Sequence, residues 1–129
     1  MAAVSLDVTD AAAVEAFFAA HEPWDHVVLS GSATKSGSSA GLPLEDARAA
    51  MDSKFWGFYR VARAAQIRDG GSLSVVAGFL ATRPMAGWAL MGAINGALES
   101  LVQGLALELK PIRVNCVSPA VVDTEMWAG

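Results

Sequence analysis

A chain of 129 residues, 53% hydrophobic and 17% charged, is long enough to bury one domain-sized core and too apolar to stay disordered. Its net charge of −4, with acids and bases interspersed, excludes the basic footprint of a nucleic-acid binder and the polybasic run of a membrane-surface segment. The single cysteine, Cys116, excludes an internal disulfide and fits a reducing, cytoplasmic compartment.

In chain order, short β-rich runs alternate with longer helical periods. The opening MAAVSLDVTD carries Asp7 and Asp10 and no basic residue, unlike a secretory leader. Ala3–Val8 is expected to be a strand, closed by Thr9 and Asp10, both good helix caps. Ala11–Ala20 follows as a helix with Val14, Phe17 and Phe18 on one face. His26–Ser30 is the next strand, apolar on consecutive residues, as suits a parallel sheet covered on both faces. Gly31–Gly41, GSATKSGSSAG, reads as a mobile loop. A long helix is expected from Leu44 to Ile67, with Glu45 and Asp46 in its first turn and Arg60, Arg63 and Arg68 near its end, stopped by Asp69-Gly70-Gly71. Ser72–Val76 is a strand, Trp88–Leu109 a helix, and Ile112–Val117 a strand ending at Ser118-Pro119. Asn95, Glu99, Gln103 and Glu108 interrupt the apolar run of that last helix, which marks a buried amphipathic helix rather than a membrane span.

The alternation implies one α/β domain over residues 1–129, a partial Rossmann-like, doubly wound unit of about four parallel strands with flanking helices. His21 and His26 lack a third ligand at metal spacing, so no metal site is expected. Cys116, among strand residues, reads as an inert core thiol. Gly92 and Gly96 form G-x-x-x-G inside a helix, which suits close packing. Lys54, on the central helix, is expected to be solvated; turned inward, it would be a cation able to hold an anion or, once desolvated, act as a base.

The stretch LALELKPIRVNCVSPAVVDTEMW, from Leu105, carries the most specific signal. It resembles the short-chain dehydrogenase/reductase pattern R-V-N-x-V-S-P-G, here Arg113, Val114, Asn115, Val117, Ser118 and Pro119, with Ala120 in place of the glycine and Thr124 four residues on. Asp7-Val8-Thr9-Asp10 is similar to the D-V-T-D ending that family's third strand, and Ser30-Gly31-Ser32-Ala33 to the N-N-A-G after its fourth. The resemblance covers essentially all of this chain but only about half of a family domain. It implies cofactor-facing roles for Asp7, Val8, Ser30, Ser32, Pro119 and Thr124, and a homodimer built through the two long helices, where Trp56, Phe58, Tyr59 and Trp88 lie. On plain packing grounds these aromatics would instead cover the sheet.

The same resemblance places the family's catalytic asparagine at Lys54, its serine at Ala77, its tyrosine at Met91 and its lysine at Asn95. A thioether and a methyl group donate no proton, and the only tyrosine, Tyr59, has Arg63 four residues on, so no Y-x-x-x-K exists in any register. The serine assignment is weaker, because Ser74 is close by. None of the twelve glycines forms T-G-x-x-x-G-x-G or G-x-G-x-x-G, the loops that meet a dinucleotide's pyrophosphate. No intact catalytic set and no cofactor are therefore expected for this chain alone.

Three readings stay open: a binding or scaffold protein, a non-redox enzyme of cyclase, isomerase or lyase type using Lys54, Asn95 and Trp127 or Glu125, and an NAD(P)-dependent reductase completed by sequence outside this chain. The complete family sheet has two strands between Ala3–Val8 and Val27–Ser30, so Ala3–Val8 is expected to dock directly beside the latter, unless a second chain fills the gap.

Overall fold

The computed structural model describes residues 3–121. The chain forms helix α1 (Ala11–Ala19), strand β1 (Trp24–Leu29), helix α2 (Leu44–Met51), a π-helical turn (Asp52–Trp56) and helix α3 (Gly57–Ala64). Strand β2 (Ile67–Val76), a 3-10 turn (Phe79–Ala81), helix α4 (Ala89–Glu108) and strand β3 (Arg113–Val117) follow. The strands lie parallel in the order β1-β2-β3, with Val28 beside Ser74 and Ser74 beside Asn115. The α/β layering matches the sequence pattern, with three strands among the described residues rather than four.

Asp10 starts α1 by accepting the Ala13 N–H on its carboxylate at 3.0 Å, as its residue type predicts. Val14 and Phe18 are the buried positions of that helix. Both crossovers run in the same direction across the sheet, β1 to β2 to β3. Right-handed connections of that kind put α2–α3 and α4 on one face. Val27, Leu29, Leu73, Val75 and Val114 point into the core shared with Phe58, Val61, Ile94 and Leu98. The opposite face carries Val28 and Val117, 64% and 55% exposed, beside a His26–Ser72 contact of 3.0 Å. The sheet is thus covered on one side only among the described residues, against the expectation of two.

Three further expectations are corrected. Ala3–Val8 forms no strand, and nothing among the described residues pairs with the outer edge of β1. The segment instead lies against the centre of the long helix. Leu6 and Val8 pack on the core, and the Val8 carbonyl accepts from Arg60 Nη1 at 3.3 Å. Partial burial of these two apolar side chains, together with the Arg60 bond, is what the segment gains in place of edge pairing.

The long helix is not uninterrupted to Ile67. It passes through the π turn, ends at Ala64, and is followed by Ala65 in an extended conformation. The Trp24 N–H takes the Gln66 carbonyl at 2.8 Å, which draws the chain into strand pairing immediately after the helix. Asp69-Gly70-Gly71 is therefore an irregularity within β2 rather than a helix stop. Trp24 pairs with Ile67 but His26 with Ser72, and Gly70 takes φ +79° in the bulge between them.

Helix α4 is long and apolar enough to cross a membrane by length and composition. Here it buries Met91, Ile94, Asn95, Leu98, Val102 and Leu105 in this fold. Gly92 meets the Leu80 carbonyl of the 3-10 turn, the close packing its motif suggested, whereas Gly96 faces open space.

Candidate functional site

A cleft of about 620 Å³ opens at the carboxyl ends of the strands, where parallel α/β sheets place their ligand sites. Its walls are the loop after β1, the π turn, the exit of β2, the first turns of α4 and the segment after β3. Two bonds continue the sheet into the wall: Ala77 N–H to the Val117 carbonyl at 2.8 Å, and Phe79 N–H to the Pro119 carbonyl at 3.1 Å.

The π turn positions the cleft's cation. A π turn inserts an extra residue and leaves carbonyls without their ordinary helical donors. Arg60 reaches back to add a second donor to the Asp52 carbonyl, which also accepts the Gly57 N–H, through Nη1 at 3.3 Å, and pairs with Asp52 Oδ1 through Nη2 at 2.6 Å. Buried Ser53 donates to the Ala33 carbonyl at 2.9 Å and so ties the turn to the loop after β1. Held between these anchors, Lys54 turns into the cleft, contrary to the expectation of a solvated side chain. Its Nζ donates to the Ala77 carbonyl at 3.3 Å and to Met91 Sδ at 3.8 Å. Burial pushes the Lys54 pKa below the ordinary lysine value, opposed by interaction with Cys116.

All four positions that the family resemblance marks as catalytic line this one cleft: Lys54, Ala77, Met91 and Asn95. Asn95 is 1% exposed, and its Oδ1 has no hydrogen-bond partner among the described residues. A Cβ on Gly78 would stand 2.8 Å from Asn95 Nδ2, so glycine leaves the room that the amide occupies. Ser74 does not line the cleft; its hydroxyl accepts from Asn115 Nδ2 at 3.4 Å on the sheet.

Of the positions implied to face a cofactor, Ser30, Ser32 and Pro119 line the cleft and Asp7 and Val8 do not. Asp7 sits at no strand end. Its carboxylate accepts the Thr9 N–H at 2.9 Å and the Thr9 hydroxyl at 2.8 Å, which hold its pKa below the ordinary value. Thr124, Glu125 and Trp127 lie outside the described residues. Tested against a dinucleotide, the residues present fit in part only. Hydroxyls and a proline line the cleft, but Asp7 is spent on a local turn and residues 1–129 contain no T-G-x-x-x-G-x-G loop to take a pyrophosphate.

No group of acids, histidines and cysteine able to hold a metal occurs among the described residues. Burial raises the Cys116 pKa, so the thiol is poorly ionised; its Sγ lies 3.9 Å from the Ser118 hydroxyl, which donates to Glu99. Sequence reasoning missed Phe79, Leu80 and Trp88 as cleft walls. A loop-plus-helix-start position at the end of a strand was the available signal for all three.

Solved structures share this architecture. A small-chain dehydrogenase in complex with NADPH is 34% identical, with TM-score 0.91 over 97% of this chain and 58% of that one. A short-chain dehydrogenase from Burkholderia cenocepacia in complex with NADP is 32% identical, with TM-score 0.87 over 95% and 54%. Among curated proteins, an enoyl-[acyl-carrier-protein] reductase [NADH] from Rhizobium meliloti is 33% identical over 95% of this chain and 50% of its own length. The short-chain dehydrogenase/reductase ATR9 of Stachybotrys chlorohalonatus is 30% identical over 81% and 43%. The family described as Enoyl-(Acyl carrier protein) reductase matches residues 1–129, and the chain belongs to the short-chain dehydrogenase/reductase family. It spans about half the length of the curated relatives it matches.

Proposed function

We propose that this chain binds a small molecule in the Lys54 cleft and does not carry out its family's nicotinamide-dependent hydride transfer by the tyrosine–lysine route. The observation that carries this reading is the company Lys54 keeps. Of the four side chains at the family's catalytic positions, a methyl, a thioether and a neutral amide exchange no proton near neutral pH. The lysine alone carries an ionisable group, and burial holds its pKa below the ordinary lysine value. The cleft thus supports binding, or a proton-transfer reaction of isomerase, lyase or cyclase type with Lys54 as the acid–base group. The single cysteine and mixed surface charge fit a cytoplasmic protein without nucleic-acid or membrane partners. The half-exposed Trp56 and exposed Leu107 on the long helices fit a homodimer.

The test is ligand-detected NMR of a small-molecule library against the chain and against Ala77→Phe, which fills the cleft. Binding lost in Ala77→Phe, with no NADPH oxidation in the presence of carbonyl compounds, is the expected result. Carbonyl reduction by this chain alone would overturn it.

A second reading has its own support. The bare sheet face with Val28 and Val117, and the unpaired edge of β1, suit a chain that further sequence covers. The 34% identical structure holds NADPH. On this reading the protein is an NAD(P)-dependent oxidoreductase acting on a carbonyl or alcohol once that sequence is present. Saturable micromolar binding of NADH or NADPH in calorimetry would favour it; flat titrations with a chain extended by that sequence would remove it.

A further inference from the structure

We propose that the ligand of this cleft is a small organic carboxylate carrying a hydroxyl group, its carboxylate held by the Lys54 ammonium and its hydroxyl donating to Asn95 Oδ1. The proposal rests on the binding reading above and specifies the chemical class that reading leaves open.

Two independent observations carry it. The first is the set of partners around Lys54. Its Nζ reaches a backbone carbonyl at 3.3 Å and a thioether at 3.8 Å, both neutral, and pairs with no carboxylate among the described residues. An ammonium partly withdrawn from water without a counter-ion is poorly compensated, and an anion entering the cleft supplies what is missing. The titratable group acting on Lys54 is Cys116 on β3, with Glu99 of α4 interacting with that thiol in turn. Burial keeps Cys116 protonated, so the thiol provides no negative charge at neutral pH.

The second is Asn95. Its amide is almost wholly buried, lines the cleft, and leaves Oδ1 without a donor. Buried acceptors are nearly always satisfied, and an orphan acceptor on a residue of the cleft wall invites a donor from the ligand. Asn95 lies one helical turn after Met91, whose sulfur touches Lys54, so cation and acceptor address the same chamber. Val76, Phe79, Leu80 and Trp88 give the cleft an apolar side, facing hydroxyls of the loop after β1 such as Ser30 and Ser32, which suits an aliphatic or aromatic body between the two polar ends.

The experiment measures affinity by NMR for two scaffolds: mandelate and 2-hydroxyhexanoate. Each is compared with its methyl ester and with its deoxy acid, phenylacetate or hexanoate. The proteins are the full chain, Lys54→Met, Asn95→Leu and Asn95→Ala, each checked for fold by its amide spectrum. The acids are expected to bind more tightly than their esters by about tenfold or more, with that preference gone in Lys54→Met. The hydroxy acids should surpass the deoxy acids in the parent chain and not in either Asn95 variant. Affinity should be lost as pH rises through the Lys54 pKa, because the neutral amine no longer pairs with the anion.

Esters that bind as well as acids would overturn the proposal while leaving the cleft a binding site. An acid preference that survives Lys54→Met, or a hydroxyl preference that survives both Asn95 variants, would overturn it too. If neither acids nor esters bind, the cleft reading falls and the proposal with it. A ligand-free Lys54 titrating above 10.5, the ordinary lysine value, would show that a carboxylate of this chain already pairs with it, and would also refute the proposal.

Discussion

The Ser53 hydroxyl donates to the Ala33 carbonyl across 2.9 Å, joining the turn that carries Lys54 to the loop that walls the same cleft. Ser53→Ala removes the hydroxyl that satisfies that carbonyl. We expect a loss of about 1 kcal/mol in urea unfolding, with faster proteolysis within residues 31–41. An unchanged midpoint and cleavage pattern would mean that the loop is held by other contacts.

Asn95→Leu should leave stability unchanged or raise it by about 1 kcal/mol, since it replaces a buried amide with an unsatisfied oxygen by an apolar side chain of similar size. Core asparagines kept for structure behave in the opposite way. A clear destabilisation would therefore indicate that Oδ1 has a structural partner in solution.

Lys54→Met should raise the urea midpoint at neutral pH. Because burial lowers the folded-state pKa, the folded chain releases the proton before the unfolded chain does. Between the folded value and 10.5 the unfolded state binds more protons, so stability rises with pH across that window. Below the window the penalty of burying the ammonium is present in full. The advantage of the methionine variant should accordingly be greatest near neutrality and shrink as pH approaches 10.5. An advantage independent of pH would place its origin in packing.

Gly71→Ala should be among the most damaging single-methyl changes in the chain. A Cβ there would press into the Asp25 carbonyl oxygen and stand 2.7 Å from Ile67 Cγ2, inside the β1–β2 irregularity. We expect a loss of about 2–3 kcal/mol by chemical denaturation. A tolerant Gly71→Ala variant would mean that the bulge relaxes into another register.

The sequence made the α/β order, α1, α4 and β3 legible because each shows a clean period and a recognisable start or stop. Asp10 caps α1 as its residue type predicts. Ala3–Val8 looked like a strand because its composition suits one, yet composition does not reveal whether a neighbour exists to bond its backbone. Asp69-Gly70-Gly71 has the residues of a helix terminator, and only the cross-strand pairing of Trp24 with Ile67 turns it into a bulge. At the site, the resemblance brought Lys54, Ala77, Met91 and Asn95 to attention, and the structure gathers them in one cleft. The inward turn of Lys54 was not legible. It depends on a π turn whose extra residue shifts side-chain phase, anchored by Arg60 and Ser53 from elsewhere in the chain.

Gly92 lets α4 rest directly on the Leu80 carbonyl, where a Cβ would stand 2.8 Å from the oxygen. Both residues adjoin the cleft, since Met91 and Leu80 are part of its wall. The bore of the chamber is therefore set by a spacer of zero thickness. Thickening that spacer by a methyl group would lever the helix outward and carry Met91 and Asn95 with it. The width of the cleft is thus adjustable from behind its wall, at a position outside the lining itself.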